Sequence, residues 1–242
     1  MRSDNFMTKH LLKTLSIILL VSSAFIANAQ NGYNYAQYDI GTAVSFNKVY
    51  GDAETIKSMP AVHFNFTYNA TPFVNFVFET QLGKLRGGDS LLTKSGRYFN
   101  NDFAAFIFRG QLQLGEIMDY SRSPFQNALK NLYVSIGAGF VRNHITQVSR
   151  TSKQVADYYT GGDDKSKEPF IPLRIGYEFK LYNRYSQPSA KIDIGYEYNY
   201  ILGDDLDGFV AGGKKDVYTQ FTIGVKFAIG AALTSYRKQI TY

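Results

Sequence analysis

Hydrophobic and polar residues alternate along this chain with a period of two. The stretch AKIDIGYEYNYI, residues 190–201, sets Ala190, Ile192, Ile194, Tyr196, Tyr198 and Tyr200 on one face of an extended strand. Lys191, Asp193, Gly195, Glu197 and Asn199 fall on the other. Seven further segments repeat the pattern. Their apolar faces carry Tyr38, Ile40, Val44 and Phe46; Val62, Phe64, Phe66 and Tyr68; and Val74, Phe76, Phe78 and Leu82. Next come Phe106, Phe108, Leu112 and Leu114; Leu132, Val134, Ile136 and Phe140; and Leu173, Ile175, Tyr177, Phe179 and Leu181. The last segment carries Phe221, Ile223, Val225, Phe227 and Ile229. The pattern predicts eight strands, most of them about ten residues or slightly longer, the length a tilted membrane strand needs.

The connections alternate in length. Long pieces, such as NHITQVSRTSKQVADYYTGGDDKSKE and LGDDLDGFVAGGKKD, alternate with the short NATP and YNRYSQPS. An intermediate piece, GEIMDYSRSPFQNALKN, has Pro124 placed to start a turn or two of helix. Long loops at one end and short turns at the other form the loop pattern of an outer-membrane barrel.

Volume decides which face is inside. The interior of a filled eight-stranded barrel holds on the order of a dozen side chains, whereas the apolar faces present roughly 35 to 40, many of them aromatic. They must point outward, to lipid, while small and polar residues such as Gly41, Ser45, Asn65, Gly137, Gly195 and Thr222 fill the lumen. A two-sheet sandwich would also bury the apolar faces, but the loop asymmetry and strand length argue against it. The expected fold is therefore all-β: an eight-stranded antiparallel up-and-down transmembrane β-barrel with long outer loops and short periplasmic turns.

The first residues agree with export. Lys9 and Lys13 precede an apolar run from Leu15 to Ile26 that stops at Ala27-Asn28-Ala29, the pattern of a cleaved secretory signal. The sequence leaves open whether translation starts at Met1 or Met7. The expected organisation is a signal peptide over 1–29, an N-terminal periplasmic segment over 30–37, the barrel over 38–230 and a C-terminal tail over 231–242. Removing Arg2, Lys9, Lys13 and Asp4 takes away a net +2, so the chain's +6 becomes +4. This mild charge suits contact with anionic lipid head groups, and no basic block argues for nucleic acid. The absence of cysteine excludes a disulfide framework, a thiol nucleophile and a lipidated N-terminal cysteine.

The polar faces also carry charges: Asp39, His63, Glu79, Arg109, Arg174, Glu178, Lys180, Lys191, Asp193, Glu197 and Lys226. In a narrow lumen each needs a partner. The ion-pair candidates are Glu79, Arg109, Arg174, Glu178, Lys191, Asp193, Glu197 and Lys226. Three pairings follow from strand adjacency: Glu79 with Arg109, Glu178 with Lys191, and Asp193 with Lys226. A polar plug is the favoured reading, with a proton path or gated pore as the alternative.

Little points to catalysis, and the chain is read as a non-enzyme without cofactor. GDDLDGF gathers Asp204, Asp205 and Asp207, but an EF-type loop placed on Gly208 would begin at Gly203 and end at Lys214, which lack carboxylates. A weaker divalent-ion site at the three aspartates stays open. Loop cations Lys84, Arg86, Lys94, Arg97, Arg142, Arg150 and Lys153 are candidates for lipopolysaccharide phosphates. The expected partners are outer-membrane lipid and lipopolysaccharide, with an envelope protein as a further candidate, around a monomeric barrel.

With its ANAQ signal end, eight alternating strands and charged lumen, the chain resembles small outer-membrane barrels of the OmpA/OmpX type. YILGDDLDGF is similar to the Asp-rich loop of other small barrel families, but departs from their TDYLDD pattern at Gly203 and Asp204. The resemblance implies an integral outer-membrane protein without a peptidoglycan-binding domain, in a structural or surface-interactive role: membrane integrity, adhesion or accessory contact with an envelope complex. In RNHITQ, His144 and Thr146 resemble the His-x-Ser arrangement of barrel lipid A deacylases, with Thr in place of Ser. That implies a barrel enzyme acting on lipid A or phospholipid as the alternative.

Overall fold

The computed structural model describes residues 33–51, 55–91, 93–121, 123–154, 159–184, 188–203, 205–209 and 215–236. The predicted signal peptide and the end of the predicted tail lie outside them. Eight strands follow one another: β1 (Tyr33–Tyr50), β2 (Met59–Asn69), β3 (Val74–Gly88), β4 (Tyr98–Gln113), β5 (Leu132–Ser149), β6 (Lys165–Tyr182), β7 (Pro188–Ile201) and β8 (Val217–Tyr236). Each pairs antiparallel with the next, and β8 returns to β1, closing a barrel with no free edge. Closure leaves no strand as an open edge, which matters in an apolar surround because unpaired edge groups there are costly.

Two short helices, α1 (Leu114–Ile117) and α2 (Pro124–Leu129), lie in the connection from β4 to β5. Ser123 caps α2, its hydroxyl accepting from the Gln126 amide at 3.2 Å, and Pro124 occupies the first turn. The β1–β2, β3–β4, β5–β6 and β7–β8 connections lie at one end of the barrel; at the other are the short β2–β3 and β6–β7 turns, the longer helical β4–β5 connection and both termini of the closing β1–β8 pair.

The strands reach further than the alternation suggested. β1 already runs from Tyr33 and β8 continues to Tyr236, so the expected N-terminal segment and tail both contribute to the sheet. A register shift between Ala36 and Tyr38 breaks the period there, leaving Tyr35 and Ala36 both buried. A second shift lies between Asn100 and Asn101, whose partners are Gln147 and Ile145, so the extra residue there, Thr146, is on β5 and the alternation of β4 continues through it.

The apolar faces point outward. Ile40, Phe64, Phe78, Phe106, Ile136, Phe140, Ile175, Tyr196 and Phe227 are among the exposed large hydrophobics. Neighbours on this belt pack against one another: Tyr38 with Phe66 at 5.8 Å, Phe78 with Phe108 at 4.7 Å and Phe76 with Phe108 at 6.2 Å between ring centroids. Such cross-strand aromatic contacts contribute roughly 0.2–1 kcal/mol each and fix the register of the outer surface.

The interior divides in two. The half toward the short turns is polar and ionic. The half toward the long loops is apolar, built from Val49, Leu85, Phe99, Phe103, Val141, Phe170, Ile201 and Tyr218, with Leu206 and Phe209 folded in from the β7–β8 loop.

Candidate functional site

The polar half of the lumen is a charge network assembled from rows of facing residues. Across β6, β7 and β8 one row sets Lys180, Lys191 and Lys226 side by side, and the next sets Glu178 against Asp193. Like charges directly opposite repel, so each must find its partner diagonally or across the lumen. Lys226 reaches between both acids, with Nζ 2.6 Å from Glu178 and 2.9 Å from Asp193. Lys191 turns to Asp39 on β1 at 2.6 Å and donates to Asn69 at 3.2 Å. Lys180 donates to the Gln113 side chain and to the Pro72 carbonyl.

A second part of the network joins the first through two arginines. Arg109 bridges Glu79 at 2.6 Å and Glu197 at 3.1 Å. Arg174 contacts Asp193 at 2.5 Å and Glu197 at 3.6 Å. The ion pairs therefore run continuously from Glu79 through Arg109, Glu197, Arg174, Asp193 and Lys226 to Glu178. Neutral side chains take up remaining valences. His63 stands between Glu79 at 2.9 Å and the Ser45 hydroxyl at 2.8 Å, and Gln81 and Gln220 donate to Glu79 and Glu197. Tyr133 accepts from Arg174 and donates to Asp193 at 2.9 Å.

The eight predicted ion-pair residues are thus all buried in one network, but the pairings are only partly those expected from strand adjacency. Glu79–Arg109 and Asp193–Lys226 are contacts. Glu178 and Lys191 are not paired: Glu178 lies opposite Asp193 and goes to Lys226, while Lys191 crosses to Asp39. Gln113, Tyr133 and Gln220 were missed because uncharged residues on a polar face carry no distinguishing signal.

A facing pair of glycines makes room for the centre of this network. Gly176 and Gly195 are register partners under Tyr133 and Arg174. A Cβ on Gly195 would lie 2.5 Å from Arg174 Nε, and one on Gly176 would lie 2.5 Å from the Tyr133 hydroxyl oxygen.

A buried aromatic ring stands at each mouth. At the short-turn end Phe73, from the β2–β3 turn, is buried beneath Tyr236 and Tyr120, with the Lys180 ammonium 4.6 Å from its ring centre. At the other end Leu206 and Phe209 are fully buried, Phe209 standing edge-on to Phe99 at 6.1 Å. Arg150 fastens this loop, donating to the Gly208 carbonyl at 2.9 Å and to Asp164 at 2.7 Å. Burial opposes the charge of Arg150, but the Asp164 carboxylate outweighs it and raises the guanidinium pKa.

The other predicted positions separate. Asp204 lies outside the described residues. Asp205 and Asp207 do not converge: Asp205 accepts from the Asp163 amide, whereas Asp207 is buried and accepts from the Phe209 amide. Among the described residues no group of three or more His, Asp or Glu side chains is arranged to hold a metal ion. Arg97, Arg150 and Lys153 tie the long loops together through Thr160, Gly208 and the Ser90 carbonyl. His144 and Thr146 share the outward face of β5. Asp102, opposite His144, pairs with Lys84 at 3.7 Å, and the Thr146 hydroxyl donates to the Asn100 carbonyl.

No known family and no curated protein matches the sequence. Among solved structures the chain is similar to Neisserial surface protein A, at 10% identity over 83% of this chain and all of that one (100%), with a TM-score of 0.45. It is similar to Ail, the attachment invasion locus protein of Yersinia pestis, at 12% identity over 80% of this chain and 98% of that one, with a TM-score of 0.44. It is also similar to the outer membrane protein OprG from Pseudomonas aeruginosa, at 12% identity over 86% and 99% of the two chains, with a TM-score of 0.34. These likenesses concern architecture alone, and the closed eight-stranded antiparallel barrel rests on the strand pairing of this chain itself.

Proposed function

We propose that this chain is an integral outer-membrane β-barrel whose role is structural or surface-interactive, and that its lumen does not conduct. The supporting observation is an outward apolar belt around a lumen that is ion-paired through one half, packed with apolar side chains through the other, and stopped at each mouth by a buried aromatic ring. Exposing that belt to water would be unfavourable by about 25 cal/mol for every Å² of apolar surface, so lipid is its natural surround. The long loops then face outward and the termini face the periplasm, reached after cleavage of the leader over 1–29. The barrel is monomeric and catalysis is not its work.

Isolated outer membranes test the reading. The chain is expected in the membrane fraction with heat-modifiable migration on a gel, and its recovery in the soluble periplasmic fraction would overturn the proposal. In planar bilayers the purified barrel is expected to give no steady conductance. Incubation with lipid A is expected to leave the lipid's mass unchanged, and a loss of acyl mass would replace this reading with an enzymatic one.

A further inference from the structure

The outward face of the barrel changes character abruptly along β4, β5 and β6. Phe106 and Phe140 are register partners and form the last bulky apolar pair of the belt toward the long loops. One step beyond, Ala104, Arg142 and Lys167 stand in a row, and the row after that holds Asp102, His144 and Lys165. Facing residues on neighbouring strands are about 5 Å apart and successive outward residues about 7 Å apart, so these side chains crowd one small area. Small Ala104 leaves an open depression of about 820 Å³ among them.

The patch is strongly one-signed. Its only carboxylate, Asp102, is drawn toward Lys84, while Arg142, Lys165 and Lys167 are exposed and have no ion-pair partner among the described residues. Asp164, next in sequence to Lys165, is held by Arg150. Four cations, Lys84 included, thus face one anion where the apolar belt ends. That is the height at which a lipid's acyl chains give way to its head group. At that height a phosphorylated lipid offers these unpaired cations charge complementarity and bidentate acceptors.

We propose that this face of β4–β6 binds the phosphate groups of the outer-leaflet glycolipid, lipid A, through Arg142, Lys165 and Lys167, with the acyl chains lying along the belt below Ala104. The proposal rests on the membrane reading above.

The test is retention of bisphosphorylated lipid A against the same lipid A dephosphorylated by phosphatase, by native mass spectrometry of the barrel released from detergent micelles. The wild-type chain is expected to prefer the phosphorylated lipid, by on the order of tenfold for each cation engaged. The triple variant Arg142→Gln, Lys165→Gln, Lys167→Gln is expected to hold both lipids equally, whereas Lys48→Gln, on the outward face of β1, keeps the preference. All three sites are exposed, and heat-modifiable migration verifies that the variants fold. Equal retention of both lipids by the wild type, a preference surviving in the triple variant, or one lost in Lys48→Gln would each overturn the site. Failure of the barrel to enter the membrane fraction would overturn the membrane reading instead.

Discussion

Arg109 is where the lumen network is most open to attack. Its side chain is 2% exposed and holds two carboxylates, Glu79 and Glu197, at 2.6 Å and 3.1 Å. Arg109→Leu removes both contacts and leaves an excess negative charge in the barrel. Breaking a buried pair by deleting one partner costs about 3–5 kcal/mol. The low end applies here, because Glu79 keeps His63 and Gln81, and Glu197 keeps Gln220 and Arg174. A destabilisation of about 3 kcal/mol is therefore expected. Adding Glu79→Gln removes the stranded charge and should return the cost to about 1 kcal/mol, since an apolar side chain beside a neutral amide carries no unpaired ion. The chain has no tryptophan, so equilibrium urea unfolding from lipid vesicles is best followed by the heat-modifiable gel shift. A single variant costing under about 1 kcal/mol, or a double variant no better than the single, would refute the view that this network is electrostatically closed.

Other consequences are equally open to measurement. Phe108→Arg, in the middle of the belt, should destabilise the vesicle-inserted barrel by about 2–4 kcal/mol, and a neutral result would mean that this face does not meet lipid. Gly195→Val should displace Arg174 and Tyr133 at a cost of about 1–3 kcal/mol in the same unfolding assay, with Gly110→Ala, whose Cβ comes no closer than 4.0 Å to any side chain, as a near-neutral control. Leu206→Ser together with Phe209→Ser should detach the β7–β8 loop from the outer mouth. Protease should then cut between 202 and 216 faster, while the barrel stays resistant to heat unfolding on the gel.

The alternation made the barrel legible because a period of two survives wherever one face is all apolar and the other all polar. It failed where both faces are apolar. In FAAFIFRG, residues 103–110, inward Phe103, Ala105 and Ile107 alternate with outward Phe106 and Phe108, so the apolar half of the lumen had no contrast to announce it. Leu206 and Phe209 lay in a segment read for its aspartates, and they are held by residues distant in sequence, Phe99 against the Phe209 ring and Asn101 donating to the Leu206 carbonyl. The charges of the lumen were legible as a set because each occupies an inward position. Their pairing was not, because Lys191 and Glu178 choose partners across the barrel, and that choice depends on closure and register together. The outer-rim cations needed the register as well: Arg142 and Lys167 become neighbours only once β5 and β6 are aligned.

The seam of the barrel governs how it can be made. Tyr33 pairs with Tyr236 and Tyr50 with Val217, so the first strand to emerge waits for the last. Contacts this remote in sequence carry a high loop-closure cost and slow assembly. Until β8 arrives, β1 and β7 each present a row of unpaired amides and carbonyls, at several kcal/mol per group if left in hydrocarbon. The chain therefore has to reach the membrane with those rows hydrogen-bonded to water or to another protein's strand, and it gives up that temporary partner only when its own two ends meet.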